Sequence, residues 1–174
     1  CGTPKIKKYS SATSSVSITF VPDWKRFGMS KMDDSIYKIF EKRVYDANIC
    51  TSQNCKVKFQ GDALPKATFN TYAKMYTKSD EMCTFTSDRW SVCIAPSDDG
   101  FEHVSFVNGI CTTKGGSHVD HVSGILANGV IEDMAKKIKL RPQQVKNAFF
   151  VFVKATLVNP SFSSQVKSEC TLKP

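Results

Sequence analysis

No apolar run in this 174-residue sequence approaches the ~20 residues that a membrane helix requires; the longest covers residues 148–153. A secretory signal peptide is not expected either, because the first residues are rich in Lys and Ser rather than apolar. Glycosylation acceptors are missing, since Asn159 is followed by Pro160. Glycine and proline are sparse, at 9 and 7, while 41% of residues are hydrophobic, which excludes disordered and collagen-like chains. The seven cysteines are odd in number and contain no CxxC pair, so buried free thiols of a reducing compartment fit better than a metal site or disulfide frame. An intracellular chain without a membrane partner is expected. Phosphate-binding P-loop and dinucleotide spacings are also absent, and no Ser/His/Asp set, carboxylate pair or Cys–His dyad can be argued from spacing.

What remains is an ordinary globular composition with an uneven charge. The length suits one domain of about 150 residues, or pieces of two. A core of that size holds together without disulfides. The net charge is +8, but residues 1–79 carry +8, residues 80–133 carry −7 and residues 134–174 carry +7. Two basic blocks around an acidic one suit a polyanion that meets particular surfaces. Solvated lysine-rich faces are the competing reading.

The hydrophobic pattern alternates between strand and helix periods. Residues 1–15 read as an irregular entry segment. Val16, Ile18 and Phe20 alternate with polar residues, predicting a half-buried strand that Pro22 ends. Ile36, Ile39, Phe40, Val44 and Ala47 share one helical face, with Asp33 and Asp34 in the first turn. Residues 56–59 predict a strand running into a Gly61-Asp62 turn and a break near Pro65. A short helix follows around Phe69, Tyr72, Ala73 and Tyr76. Trp90, Val92 and Ile94 predict a strand, and residues 101–110 its hairpin partner. A long helix carries Val119, Val122, Ile125, Leu126, Val130, Ile131 and Met134 on one face. Residues 149–153 are continuously apolar, as in a strand buried on both faces. The segment from Asn159 onward is polar and loop-like.

Three places carry candidate chemistry. The turn at residues 112–118 places Gly115-Gly116 between a strand and a helix, where backbone N–H groups attract anions, or where glycine simply permits a tight turn. His118 and His121 are three residues apart, but no third ligand stands at zinc spacing, and His118 reads as a first-turn hydrogen-bonding residue. Lys136, Lys137, Lys139 and Arg141 cluster before Pro142 and suit either solvent or non-specific phosphate contact. Gln165 and Lys167 in the polar tail are solvated, or together offer donors to a terminal phosphate.

Several stretches in order resemble the ATPase region of eukaryotic-type type IIA DNA topoisomerases. They are Ile18 to Phe20 with Pro22-Asp23 and Phe27, Arg43-Val44-Tyr45-Asp46, Phe69 to Met75-Tyr76, and Phe106-Val107-Asn108. The resemblance is strongest in Thr113-Lys114-Gly115-Gly116-Ser117-His118-Val119-Asp120, Gln144-Val145-Lys146-Asn147, and Asn159 through Lys167. It covers nearly the whole chain beyond residue 15.

The resemblance implies an α/β fold of two adjoining pieces. Residues 1–67 would be the C-terminal part of a GHKL-type ATP-binding domain. Residues 68–174 would begin a transducer domain, a two-layer α/β sandwich with a left-handed βαβ crossover. It implies ATP and Mg²⁺ as ligands, with the Mg²⁺-binding Asn, the general-base Glu, the Gly-rich lid and the DNA-cleaving tyrosine outside these residues. The chain alone is then expected to be inactive. Gln165 and Lys167 match the Gln and Lys of the family's ATP-sensing loop, with Val166 in place of its Thr; Lys167 would be the catalytic contact to the γ-phosphate. Lys136 and Lys137 match the start of the family's DNA-touching lysine loop, while Ile138 replaces its third lysine and Lys139 and Arg141 compensate by position. Implied partners are DNA, a second copy of the chain through the ATPase gate and the rest of the polypeptide, in the nucleus or at a viral replication site. A non-catalytic nucleic-acid-binding α/β module is the alternative, and a phosphate-binding enzyme built on Gly115-Gly116, lacking a general base, ranks last.

Overall fold

The computed structural model describes residues 3–8, 10 and 13–172, so Cys1 and parts of the expected entry segment lie outside it. Packing separates the chain into one unit through Tyr37 and a second from Lys38.

In the first unit the described residues before Asp23 form no helix or strand, and a 3-10 turn at Trp24–Phe27 is closed by Gly28 in the left-handed region at φ 69°. The strand predicted at residues 16–20 does not form. Val16, Ile18 and Phe20 are 90%, 84% and 71% exposed, and no strand pairs with them. Alternation supplies a face for burial, but the strand exists only when a neighbour takes its backbone hydrogen bonds. Helix α1 (Asp34–Cys50) begins where expected, with the Asp33 carboxylate accepting the Ile36 N–H at 2.8 Å.

The second unit is built on a five-stranded sheet, β3 (Cys83–Thr86), β4 (Trp90–Pro96), β5 (Glu102–Val107), β6 (Ile110–Cys111) and β7 (Phe149–Ala155), in spatial order β3-β4-β7-β5-β6. A two-residue hairpin, β1 (Lys58–Phe59) and β2 (Asp62–Ala63), precedes it, turning at Gln60-Gly61 with both φ angles positive. Helices α2 (Phe69–Ala73), α3 (Ser117–Met134) and α4 (Pro142–Lys146) complete the fold. The class is mixed α/β, as the sequence suggests.

Residues 101–110 do not pair with β4. Strand β7 inserts between them, antiparallel to β4 over seven residues and parallel to β5 over six. The reason is burial: Val151, Phe152 and Val153 are fully buried, and only a central strand has both faces covered. β5 instead folds back on β6 through Asn108-Gly109, whose φ angles of 50° and 79° suit a tight hairpin turn. The Asn108 side chain also bonds both ways with Leu157, at 2.8 and 3.0 Å, which fixes the exit from β7.

Alternate residues of the sheet face different helices. Cys93, Phe106 and Phe152 pack with Ile49 of α1 and Phe69, Tyr72 and Ala73 of α2. Tyr72 meets Phe106 edge-on at 5.9 Å, and Tyr76 meets Phe152 at 5.7 Å. α3 lies against the opposite side, where Val92 and Ile94 face Val122 and Leu126. The six described cysteines are free; Cys93 and Cys170 are buried, whereas Cys55 and Cys83 are exposed, so the expected burial of the thiols holds only in part. Burial pushes the Cys50 thiol up to about 11. No helix among the described residues is long and apolar enough to cross a membrane.

Asp46, near the end of α1, is the polar centre of this packing. Its carboxylate accepts from Lys42 at 2.9 Å, Arg43 at 3.3 Å and the Tyr72 hydroxyl at 2.7 Å. Burial raises the Tyr72 pKa, and its hydrogen bonds to Tyr76 and Asp46 raise it further, so it remains a donor. Lys66 caps the helix end by donating to the Asn48 carbonyl at 2.6 Å, and Lys154 reaches the Ile49 carbonyl at 3.3 Å. Asp46→Ala leaves the buried Tyr72 hydroxyl and two cations short of their acceptor. It is expected to lower stability by about 2–3 kcal/mol. Urea denaturation of this variant measures the loss, and a change below about 0.5 kcal/mol would contradict the role given to Asp46.

Candidate functional site

The polar tail is not a free coil. Ser163 N–H donates to the Glu169 carbonyl at 3.1 Å and Thr171 N–H to the Ser161 carbonyl at 2.8 Å, so residues 161–163 and 169–171 run as a short antiparallel stem. Gln165, Val166 and Lys167 form its tip. Lys167 adopts a left-handed φ of 58°, and its N–H closes a turn onto the Ser164 carbonyl at 3.0 Å. Holding a residue with a Cβ there costs about 1 kcal/mol, which the stem's hydrogen bonds offset. Gln165 and Val166 are exposed, and Lys167 is half-buried with its ammonium 5.7 Å from the centre of the Phe162 ring.

The stem is stitched to the glycine-rich turn before α3. Lys114 N–H donates to the Ser168 carbonyl at 2.8 Å, Cys170 N–H to Gly115 at 3.0 Å, and Ser117 N–H to Cys170 at 2.9 Å. Glycine is required twice. A Cβ on Gly116, whose φ is 121°, would overlap the Cys170 carbonyl, and one on Gly115 would stand 3.0 Å from the His103 ring. In the first turn of α3 the N–H groups of Ser117, Val119 and Asp120 are thus taken by the Cys170 and Gly116 carbonyls. Of the two readings of this turn, the tight-turn requirement is the one the structure bears out.

Beneath the turn, the Ser105 hydroxyl lies 2.6 Å from the Thr112 hydroxyl, which lies 3.1 Å from Nε2 of His118. His118 is 2% exposed, and burial with the nearby His103 pushes its pKa down to about 4, so the ring is neutral. Burial also lowers His103, against the opposing pull of Asp120. His118 is therefore a first-turn hydrogen-bonding residue, while His121 faces Trp90 at 6.3 Å. Among the described residues, no group of three or more His, Cys, Asp or Glu side chains is placed to hold a metal ion.

Lys136, Lys137, Lys139 and Arg141 are all exposed and lie beyond the opposite end of α3. An 18-residue helix is about 27 Å long, so the structure keeps this cluster apart from Lys167 rather than bringing the two together. Lysines at a helix C-terminus also favour its dipole. Arg141 caps the start of α4, with its N–H held by the Gln144 side chain at 2.9 Å. Leu140, Lys139 and Arg141 line a surface recess with Ile131 and Gln144.

Sequence reasoning passed over Phe162, Thr112 and the backbone of Cys170. Nothing local marks them, because their partners are 5, 6 and 54 positions away. The adjacent glycines were the available signal. Gly116→Ala is expected to detach the stem while α3 and the sheet persist. Limited proteolysis should then cut within residues 161–171 at least about ten times faster than in the wild type, with the far-ultraviolet spectrum nearly unchanged. Unaltered protection would contradict the close approach at Gly116.

A family profile described as DNA gyrase B matches residues 54–173. DNA topoisomerase 2 of Arabidopsis thaliana is 36% identical over 98% of this chain and 12% of its own length. Among solved structures, the ATPase region of Saccharomyces cerevisiae topoisomerase II matches 87% of this chain and 40% of its own, at 35% identity and a TM-score of 0.80. The ATPase and transducer domains of DNA topoisomerase II from Balamuthia mandrillaris match 88% of this chain and 40% of theirs, at 30% identity and the same TM-score. The chain spans about one eighth of the curated relative's length. Agreement of sequence and fold across that stretch assigns the chain to the eukaryotic-type type IIA DNA topoisomerases, in their ATPase region.

Proposed function

We propose that this chain is the stretch of a type IIA topoisomerase that joins nucleotide binding to movement of DNA. In this reading residues 1–67 end the GHKL ATP-binding domain and residues 68–174 begin the transducer. Two copies close an ATP-operated gate, and the substrate is DNA in the nucleus.

The observation that carries the reading is the Lys167 tip on its stitched stem. An ammonium with no carboxylate partner among the described residues is held at the end of a hydrogen-bonded loop. Such a charge suits the oxygens of a γ-phosphate, where negative charge shifts during phosphoryl transfer. Gln165 offers an amide donor beside it, and the exposed Val166 neither blocks nor adds a polar contact. The described residues offer no Mg²⁺ ligand set, so no step here runs through the metal.

The stitching offers a route for transmission in this reading. A pull on Lys167 reaches residues 168–170, then the N-terminus of α3 through Lys114, Gly115 and Ser117. α3 carries the displacement to Lys136, Lys137, Lys139 and Arg141, which meet the phosphates of a DNA duplex.

In the full-length protein, Lys167→Ala is expected to lower ATP-dependent strand passage at least about 100-fold. Decatenation assays check this, and wild-type decatenation with wild-type ATP turnover would remove the role of Lys167. Replacing Lys136, Lys137, Lys139 and Arg141 by Gln should reduce DNA-stimulated ATP turnover about 5-fold or more while basal turnover stays within about 2-fold. Equal loss of both rates would reduce the cluster to a helix-capping role. Undiminished DNA binding with no response to ATP in the wild type would favour a non-catalytic nucleic-acid-binding module.

A further inference from the structure

Phe162 sits in the stem directly below the tip that carries Lys167. Its backbone is fixed by the bridge to Cys170, and Cys170 is fixed in turn by Gly116 and Ser117. The ring is half-buried. The Lys167 ammonium stands over its face at 5.7 Å, within the range of a cation–π contact. Among the described residues no carboxylate competes for that ammonium. A lysine stem has many rotamers, and an ammonium at an exposed tip samples them all unless something selects one. The left-handed backbone at Lys167 and the turn to Ser164 aim the stem, while the ring holds its end.

We propose that Phe162 is a positioning residue for Lys167. It pre-organises the ammonium before nucleotide arrives, so that less conformational freedom is lost when a terminal phosphate engages it. This rests on the reading of Lys167 as a phosphate contact. The ring acts through Lys167 and makes no contact with the nucleotide itself.

A double-mutant cycle in the full-length protein tests this, with affinity for a non-hydrolysable ATP analogue as the readout. Phe162→Leu keeps an apolar side chain but removes the ring face, and should weaken binding of the analogue about 3-fold. Phe162→Tyr keeps the face and should bind like wild type. Lys167→Ala should weaken binding more, and adding Phe162→Leu to it should change nothing further. An additional 3-fold loss in the Lys167→Ala background, or failure of Phe162→Tyr to restore affinity, would overturn the proposal and make Phe162 a packing residue. Full analogue affinity and turnover in Lys167→Ala would instead overturn the reading of Lys167 on which the proposal stands.

Discussion

At Gly116 two backbone segments lie closer than any side chain permits, and the candidate nucleotide contact depends on that approach. The Cys170 carbonyl occupies the place of a Cβ and accepts the N–H of Ser117 at the start of α3. Because this carbonyl and those of Ser168 and Gly115 are all used, the loop from Ser161 to Thr171 shares its hydrogen bonds with α3 and the turn before it. The loop is polar and largely exposed, so apolar burial contributes little to holding it. Backbone pairing does the work, each bond contributing about 1 kcal/mol. The turn below is closed by the Ser105–Thr112–His118 chain, whose burial keeps the histidine neutral.

The sheet supplies the rigid frame for this arrangement. β7 runs centrally between β4 and β5, and the chain leaves it at Leu157 to form the loop. α3 leaves the other side of the same turn. Loop and helix therefore share one anchor, with the basic cluster about 27 Å away along α3. In the proposed function, one end of α3 faces a nucleotide and the other faces DNA, and the separation suits that division. It keeps two positive regions from competing for the same phosphates while leaving a stiff connection between them.

The elements legible in the sequence are those with local causes. The period of α1 and α3, the Asp33 cap and the uninterrupted apolar run of β7 each write their structure into neighbouring residues. Partners distant along the chain are not written that way. β7 displaces the expected β4–β5 hairpin because its pairing spans some fifty residues, and β3, whose residues are all exposed at the sheet edge, has no burial pattern to announce it. The alternation of Val16, Ile18 and Phe20 is a strand pattern without a partner strand, so these residues stay irregular and exposed. For the candidate site, the resemblance points to Gln165, Val166 and Lys167, whereas the stem and turn that hold them are visible only in the fold. Thr112 read as a loop residue, yet it is fully buried between Ser105 and His118. Cys170 read as one thiol among seven, and its contribution is its backbone.

The loop bearing Lys167 and the start of α3 form one hydrogen-bonded unit. Amide hydrogen exchange at Lys114, Ser117 and Cys170 measures this most directly. These three amides are expected to exchange together, with protection comparable to that of β7. Exchange at the rate of a solvated loop, while β7 stays protected, would contradict it.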